Sequence, residues 1–558
     1  MTLRLFNTYS RAIEPVLVAD PEHVTFYSCG PTVYDDAHIG NFRSFLAADV
    51  LRRWIESPWC VLSLEGGSRG GGQHVGPRRV THVMNITDVG HMTDDAEGGE
   101  AGEDRMAVAG RRIAEAKKSG KLPANTMVDA SDPYQIARFY ERRFREDAKS
   151  LGLKLAIEAD GDPSLMPRAT EHIGGMISIV QRLINGKYAY VVGDAGQRVV
   201  YFSVQRFPGY GQLSGNTLDG LREGQGGRVL AANQSQKRHP ADFLLWKEDR
   251  THIMKWESPW GAGYPGWHIE CTVMSVGRLC NHTGQSPLTQ IGMATHDDEN
   301  AENAEKSMID LHSGGEDNIF PHHECEIAQS CCAFSGGTGS FARSWFHPRF
   351  LLVEGTKMSK SKGNFFTARD LFAKGIESAA LRLELIKTHY RSNANFTMQG
   401  LTDSQRMIDR WRRFEVAARS ARDSSTSAGD STARKRVREE FTGAMHDDLN
   451  ISAAIASLNT YVSAVETPCA EDVAVLAVLD GVLGVLALER PIAAATEIGV
   501  WANGLVPDET VEALLVQRRD ARAAKDFKAS DAIRDQLSLL GYAIKDRAGG
   551  KVEVSRTS

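Results

Sequence analysis

A chain of 558 residues with 42% apolar and 24% charged side chains has the make-up of a globular protein of about three or four domains. Its formal net charge of −6 excludes binding of nucleic acid by bulk attraction, so any RNA contact must use local basic patches. Eight cysteines over this length argue against a disulfide scaffold, and neither a charged, apolar leader nor an apolar run of membrane length is found, so a cytoplasmic protein with no membrane partner is expected.

The first organised stretch is Val24-Thr25-Phe26-Tyr27, short and β-rich enough for a buried strand. Beyond Cys29-Gly30-Pro31-Thr32-Val33-Tyr34-Asp35-Asp36-Ala37-His38-Ile39-Gly40-Asn41, the residues Ala47, Ala48, Leu51, Trp54 and Ile55 fall at helical spacing. The stretch is therefore a strand-to-helix turn, the place where open α/β sheets bind ligands. Gly40 lets a flat group approach the backbone, His38 adds a donor, and the helix start favours phosphate. Residues 64–78 are Gly-rich and read as a solvated surface insertion, with RNA contact by its basic residues as the lesser reading. A second buried strand, Val80 to Ile86, ends at Thr87-Asp88. Ser131 to Leu151 is helical and charged, Thr170-Glu171-His172-Ile173 opens another helix, and Tyr188 to Val204 reads as a hairpin around Gly193-Asp194-Ala195-Gly196.

Gly266-Trp267-His268-Ile269-Glu270-Cys271 follows, and then residues 280–306, without periodicity, read as a second surface insertion of no assigned role. Ile309 to Asp317 is another strand and turn, and Phe320-Pro321-His322-His323-Glu324-Cys325-Glu326 starts a helix with Pro in its first turn. Lys357-Met358-Ser359-Lys360-Ser361 lies between Gly355 and Gly363. Two lysines on such a loop can close over a triphosphate and neutralise charge that grows as pyrophosphate leaves. Beyond Asp370 the pattern is almost wholly helical, with a Ser/Thr/Gly-rich loop at Ser424 to Ser431 and a Pro- and Gly-containing linker at about Glu489 to Asp508.

The run CGPTVYDDAHIGNFRS, then GWHIEC, then KMSKS, in that order, resembles the class I aminoacyl-tRNA synthetases and, among them, the cysteinyl-tRNA synthetase family. The resemblance covers nearly the whole chain apart from the two insertions. It implies an α/β, Rossmann-like catalytic domain in two halves (1–130 and 241–350) split by a connective insertion (131–240). A signature-loop and stem-contact region (351–400), an all-helical anticodon-binding bundle (401–495) and a small C-terminal domain (506–558) follow. Ala379-Ala380-Leu381-Arg382 resembles the stem-contact segment, His389-Tyr390-Arg391-Ser392 matches as well, and Asp447-Asp448-Leu449-Asn450 opens a helix of the bundle. The implied reaction is ATP-dependent ligation of L-cysteine to tRNA(Cys) through cysteinyl adenylate, with Mg2+ accompanying ATP; a monomer is expected. His38, Gly40 and Asn41 would hold the phosphate region of ATP, and Lys357 and Lys360 the leaving pyrophosphate. Thr87 lines the cysteine pocket or caps the next helix; Trp267 walls the pocket or packs in the core. The ending Lys551 to Ser558 departs from the aromatic and basic tail of the family, which puts tail contacts in doubt.

The family's zinc ligands map residue by residue onto Cys29, Cys271, His322 and Glu326. Zinc accepts all of these donor types, and His322 and Glu326, four apart, share one helix face. His323 and Cys325 are adjacent alternatives, Cys325 being the softer; helix phase favours Glu326, since Cys325 lies about 100° away on the wheel. Cys60, Cys280, Cys331, Cys332 and Cys469 lack matching partners and read as structural. The implied Zn2+, one per chain, distinguishes cysteine from serine, a pair that size and apolar contact separate poorly, because a borderline-soft metal prefers thiolate to hydroxyl. The alternative is a ligase of the same fold that passes activated cysteine to an amino sugar. It accounts for both signatures and the zinc, yet leaves the helical, basic region after about residue 400 without a task. A catalytically inactive RNA-binding or structural zinc protein is a third reading, against which the intact KMSKS loop argues.

Overall fold

Four strands form the central parallel sheet of the computed structural model: β1 (His23–Ser28), β2 (Arg79–Met84), β3 (Ile309–Ser313) and β4 (Ala342–Phe346). Their spatial order is β2-β1-β3-β4. Every residue of β3 and all but the first of β1 are buried, as a parallel sheet covered on both faces requires. The structure describes residues 1–64, 72–92, 102–122, 125–218, 220, 236–280, 309–334, 337, 339–359, 363–421, 428–488, 494–495, 498–501, 508–547 and 551–556. Polar side chains fix the sheet's register. Asp310 on β3 accepts from the backbone N–H and hydroxyl of Thr25, each at 2.9 Å. Ser28 on β1 bonds His82 on β2 and Ser313 on β3, each at 2.7 Å. Thus Ser28 stands opposite both Met84 and Ser313, and all three central strands end level.

Helix α1 (Ile39–Glu56) leaves the end of β1 and buries Phe42, Leu46, Val50, Leu51, Trp54 and Ile55. A four-stranded antiparallel sheet lies apart from the parallel one. It contains the expected hairpin, Ala189–Val192 and Val199–Phe202, and then Phe243–Glu248 and Gly263–Pro265, so it runs on past residue 240 to the start of α2 (Trp267–Leu279). Helix α3 (Glu324–Phe334) joins β3 to β4. The first insertion is not wholly a loop: Gln73–Val75 pairs antiparallel with Val61–Leu64. Arg78, grouped above with possible RNA contacts, is buried and donates to the carbonyls of Ile55, Cys60 and His74. Residues 281–306 lie outside the described residues.

The helical region is a bundle of α4 (Met398–Ser420), α5 (Ala428–His446), α6 (Ile451–Ala464) and α7 (Ala470–Leu483). A small unit with its own core follows, two helices (Glu509–Ala523 and Phe527–Leu539) on a four-stranded sheet. Two of its strands, Ala494–Ala495 and Gly499–Trp501, come from the segment expected to be linker. Pro and Gly marked that segment as linker, but Ile498, Val500 and Trp501 form a β-favouring apolar run, and Trp501 is fully buried. Among the described residues, no helix is long and apolar enough to cross a membrane.

Phe26 is fully buried and its ring stacks on His82 at 4.2 Å between centroids. Phe26→Ala is expected to destabilise the catalytic domain by about 3–5 kcal/mol, read as a lower urea midpoint for its unfolding.

Candidate active site and metal centre

The level strand ends bring three distant segments together. Cys29 follows β1, its N–H donating to the Ser313 carbonyl at 2.9 Å. Cys271 lies near the start of α2. His322 lies in an irregular turn, Ile319–His323, where Phe320 takes extended angles (φ −140°, ψ 134°), and Glu326 lies in the first turn of α3. Pro321 therefore belongs to this kinked turn, not to the first turn of the α-helix. An extended residue before it keeps Pro out of a continuous helix.

The donor atoms of Cys29, Cys271, His322 and Glu326 all lie within 4.8 Å of one another, and all four residues are buried. Cys29 Sγ is 3.7 Å from Cys271 Sγ and 3.3 Å from Glu326 Oε1, and His322 Nε2 is 2.9 Å from that same oxygen. A mixed sulfur, nitrogen and oxygen set of this size could hold a metal ion. A second set overlaps it: His312 Nε2 lies 2.8 Å from Glu326 Oε2, and His323 Nε2 lies 3.2 Å from Cys29 Sγ. Cys325 points elsewhere, its Sγ 3.6 Å from the Tyr210 hydroxyl, so of the two adjacent alternatives only His323 reaches the cluster.

The electrostatics separate these groups. Against burial, His312 and His322 hold the Glu326 carboxyl well below its ordinary range. Against burial, Glu326 and Cys271 raise His322 to about 10. Burial and the hydrogen bond to Cys271 push the Cys29 thiol up. Cys271, which accepts that bond and lies near His322, is held below its ordinary value despite burial. His268 is kept neutral by burial and by His322, and its Nδ1 lies 2.9 Å from His322 Nδ1, which leaves Nε2 for the centre. His347 extends the chain on the other side, 2.7 Å from His323 Nδ1 and 2.7 Å from the Thr8 hydroxyl. Sequence reasoning missed His268, His312 and His347. The available signal was a polar imidazole inside an otherwise apolar strand, Ile309-Asp310-Leu311-His312-Ser313. The Trp267 ring, half-buried, lies 4.5 Å from the His322 ring at an interplanar angle of 30°.

The turn before α1 is a capping box. His38 Nδ1 accepts from Asn41 N–H at 3.2 Å, and Asn41 Oδ1 accepts from His38 N–H at 3.1 Å. Neutral His38 then carries its proton on Nε2. A Cβ on Gly40 would stand 2.7 Å from Met358 Cε and 2.9 Å from the His38 ring, so the two signature segments come close together at this glycine. They are also joined by backbone, Ile39 N–H to Phe366 O at 3.0 Å. Lys357 is exposed, with its ammonium 5.0 Å from the Phe350 ring centroid, and Lys360 lies outside the described residues. Asn364 pins the loop's flanks, accepting from Ser359 N–H and donating to the Thr356 hydroxyl. Thr87 is buried and its hydroxyl accepts from Asn85; the next described helix, Arg105–Lys118, is capped by Asp104 instead.

Residues 15–61 and 78–406 match the family described as tRNA synthetases class I (C) catalytic domain, and the gap between them falls on the first insertion. Residues 507–554 match the cysteinyl-tRNA ligase anticodon binding domain. The cysteine–tRNA ligase of Salinibacter ruber is 38% identical over 579 residues, covering 98% of this chain and 97% of its own. The chain belongs to the cysteine–tRNA ligase family. The family's enzyme from Thermus thermophilus is 34% identical over 568 residues, covering 99% of this chain and 98% of its own. In fold alone, the LeuRS of Agrobacterium radiobacter, solved as a ternary complex with tRNA and LeuAMS, covers 97% of both chains with a TM-score of 0.51 at 10% identity. With an anticodon-binding match at the C-terminus, the amino-sugar alternative has no support.

In the metal-free site, His322 and Cys29 are both protonated near neutrality, and both must lose a proton to act as ligands. Adding Zn2+ to metal-free protein near neutral pH is expected to release protons, at the least one from His322 and one from the Cys29 thiol, measured with a pH indicator in weak buffer. Protons compete with the metal, so its affinity should rise from about pH 6 to about pH 8.

Proposed function

We infer that this chain activates L-cysteine with ATP·Mg2+ and transfers it to tRNA(Cys), working as a cytoplasmic monomer with one Zn2+ held by Cys29, Cys271, His322 and Glu326. The observation that carries this reading is the meeting of those four donors at the strand ends of the sheet that also leads into the His38–Asn41 turn, in a chain matched by ligases from end to end.

The cysteine carboxylate attacks the α-phosphorus of ATP; a carboxylate–phosphorus bond forms and the bond to pyrophosphate breaks. The terminal ribose hydroxyl of tRNA then takes the cysteinyl group and AMP leaves. His38 Nε2–H and the Asn41 side chain are held by the capping box toward the phosphate region. Gly40 keeps the approach to the backbone open. Lys357 and Lys360 neutralise the charge that grows on the departing pyrophosphate. Zinc at the four donors supplies a site that binds thiolate far better than hydroxyl, which is the basis for choosing cysteine over serine. Trp267, whose ring lies beside that of His322, and Thr87 wall the amino-acid pocket.

Among the cationic residues of the helical region, Arg412, Arg434 and Arg518 are engaged inside the fold with Glu377, Asp472 and Asp546. The exposed Arg413, Lys435, Arg436, Arg438, Arg519, Arg522 and Lys525 are the better candidates for tRNA phosphates.

Charging tests the reading: purified protein, ATP, cysteine and tRNA(Cys) should give cysteinyl-tRNA, and its absence refutes it. Cys29→Ser is expected to lower metal content, weaken apparent cysteine affinity much more than ATP affinity, and shrink the preference for cysteine over serine. Cys325→Ala, the control, should keep its metal. Metal analysis and pyrophosphate exchange with both amino acids decide this, and a Cys29→Ser protein with full zinc and full preference removes Cys29 from the site. Lys360→Ala is expected to slow adenylate formation by about 10- to 1,000-fold with a smaller loss in ATP binding; equal losses would make Lys360 a ground-state contact.

A further inference from the structure

Arg382 lies in the segment that resembles a tRNA stem contact, yet its side chain has no exposed surface. It cannot touch RNA from there. Its guanidinium instead gathers three other segments of the chain. Nε donates to the carbonyl of Leu483 at 2.7 Å, the last residue of α7. One terminal nitrogen donates to Leu151 O at 2.9 Å and Gly152 O at 3.2 Å, just beyond the helix Pro133–Ser150. The other meets Asp49 Oδ2 on α1 at 2.6 Å.

Asp49 is 1% exposed, and it holds a second arginine on the same oxygen, Arg53 Nε at 2.7 Å. Arg53 repeats the pattern, donating to Gly152 O at 2.8 Å and Gly481 O of α7 at 3.3 Å. Against burial, Arg53 and Arg382 keep the Asp49 carboxyl far below its ordinary range. Two helix C-termini, one from the connective region and one from the bundle, thus present carbonyls left over by helix geometry to two guanidinium groups anchored on α1. A cleft of about 330 Å³, lined by Arg53, Lys154, Gly481 and Val482 among others, opens beside this joint, where these directional bonds act alongside the apolar core that α1 and α7 share. Among the described residues, none of these contacts reaches Cys29, Cys271, His322, Glu326, Lys357 or the cap at His38. Asp49 lies eight residues along α1 from Asn41, about 12 Å by helix rise.

We propose that Arg382, with Arg53 and through Asp49, is a positioning device for the transfer step: it sets the helical bundle on α1 so that bound tRNA delivers its acceptor end to the adenylate. This rests on the reading that the chain charges tRNA(Cys). Amino-acid activation needs only the catalytic sheet and its loops, whereas transfer needs a tRNA held by the bundle and the catalytic domain together. Loosening the joint therefore affects transfer and spares activation.

The test uses the full-length, zinc-loaded protein and Arg382→Lys, which keeps the charge but cannot span Leu483, Leu151 and Asp49 together. Charging kcat/KM for tRNA(Cys) is expected to fall by about 5- to 150-fold, the range of coupling between distant sites. Cysteine-dependent pyrophosphate exchange should stay within about twofold of the unaltered protein, since activation draws on none of these contacts. Unchanged charging by a folded Arg382→Lys chain overturns the proposal. So does a fall in exchange that matches the fall in charging, which marks a general folding defect. Should Arg382→Lys not be recovered folded, Arg53→Lys, at the partly exposed edge of the joint, decides on the same two readouts. Failure of the unaltered protein to charge tRNA(Cys) overturns the functional reading and this proposal with it, whereas charging by that protein and equally by the variants overturns the proposal alone.

Discussion

The carboxylate of Glu326 has no exposed surface, and a charge so placed is tolerated only where cationic or hydrogen-bonding groups replace water. His322 and His312 supply that replacement, one on each oxygen, and the Cys29 thiol completes it. These partners stand on three separate elements, and that ties the interior chemistry to the register of the sheet. His312 belongs to β3 and Cys29 follows β1, and Ser28 and Ser313 lock those strands level. A slip of one residue would turn the side chains of either strand to the opposite face, leaving the buried carboxylate without one of its hydrogen-bond partners. The centre and the sheet are thus one constraint seen from two sides.

Much of the frame was legible because the signals were local. The strand before Cys29, the helix after Asn41 and the hairpin near Gly193 each follow from periodicity and turn residues within a short window. The donor set could be named because each donor sits in a distinctive block. What could not be read were relations between blocks. Nothing in the sequence ranks His323 against Cys325 beyond helix phase, and phase is a weak guide where the helix begins with a kink at Phe320. His312 is one residue in an apolar strand until its Glu326 partner is seen across the fold. Arg382 stands in a segment that resembles a stem contact, and its burial could not be read there because exposure follows from packing, not from residue type. The two strands between residues 494 and 501 were hidden by neighbouring Pro and Gly, although Trp501 belongs to the core of the C-terminal unit.

Helix α1 serves both ends of the proposed chemistry. Its first turn is built on a reciprocal cap between His38 and Asn41. Arg43 on the same helix, nearly fully buried, donates to the carbonyls of Arg349, Leu385, His389 and Ser392. Further along, Asp49 and Arg53 receive the ends of two other helices. A helix with so many charged residues turned inward is costly to bury unless each finds a partner: backbone carbonyls serve Arg43 and Arg53, Asp49 takes Arg53 and Arg382, and Arg52 takes Glu56 and Glu158. Asp448 plays a comparable part on the bundle side. It takes a left-handed backbone (φ 54°) and accepts from Phe6 N–H and the Tyr390 hydroxyl. The conformation is unfavourable for a residue other than glycine, and these bonds hold it.

The donors' spacing along the chain has a consequence for how the protein is made. Cys29 and Cys271 are 242 residues apart, and Cys29 and Glu326 are 297 apart. At the pace of a ribosome, roughly 15–60 s separate the appearance of the first donor from that of the last. Throughout that interval the nascent chain carries Cys29 as a bare thiol, with the sheet of residues 189–265 emerging in between. The four candidate donors cannot meet until β3 and α3 arrive to lie against β1, so the cluster forms late. A chain interrupted before His322 would hold only two of the four candidate donors, so metal retention would mark a chain that has been made as far as α3.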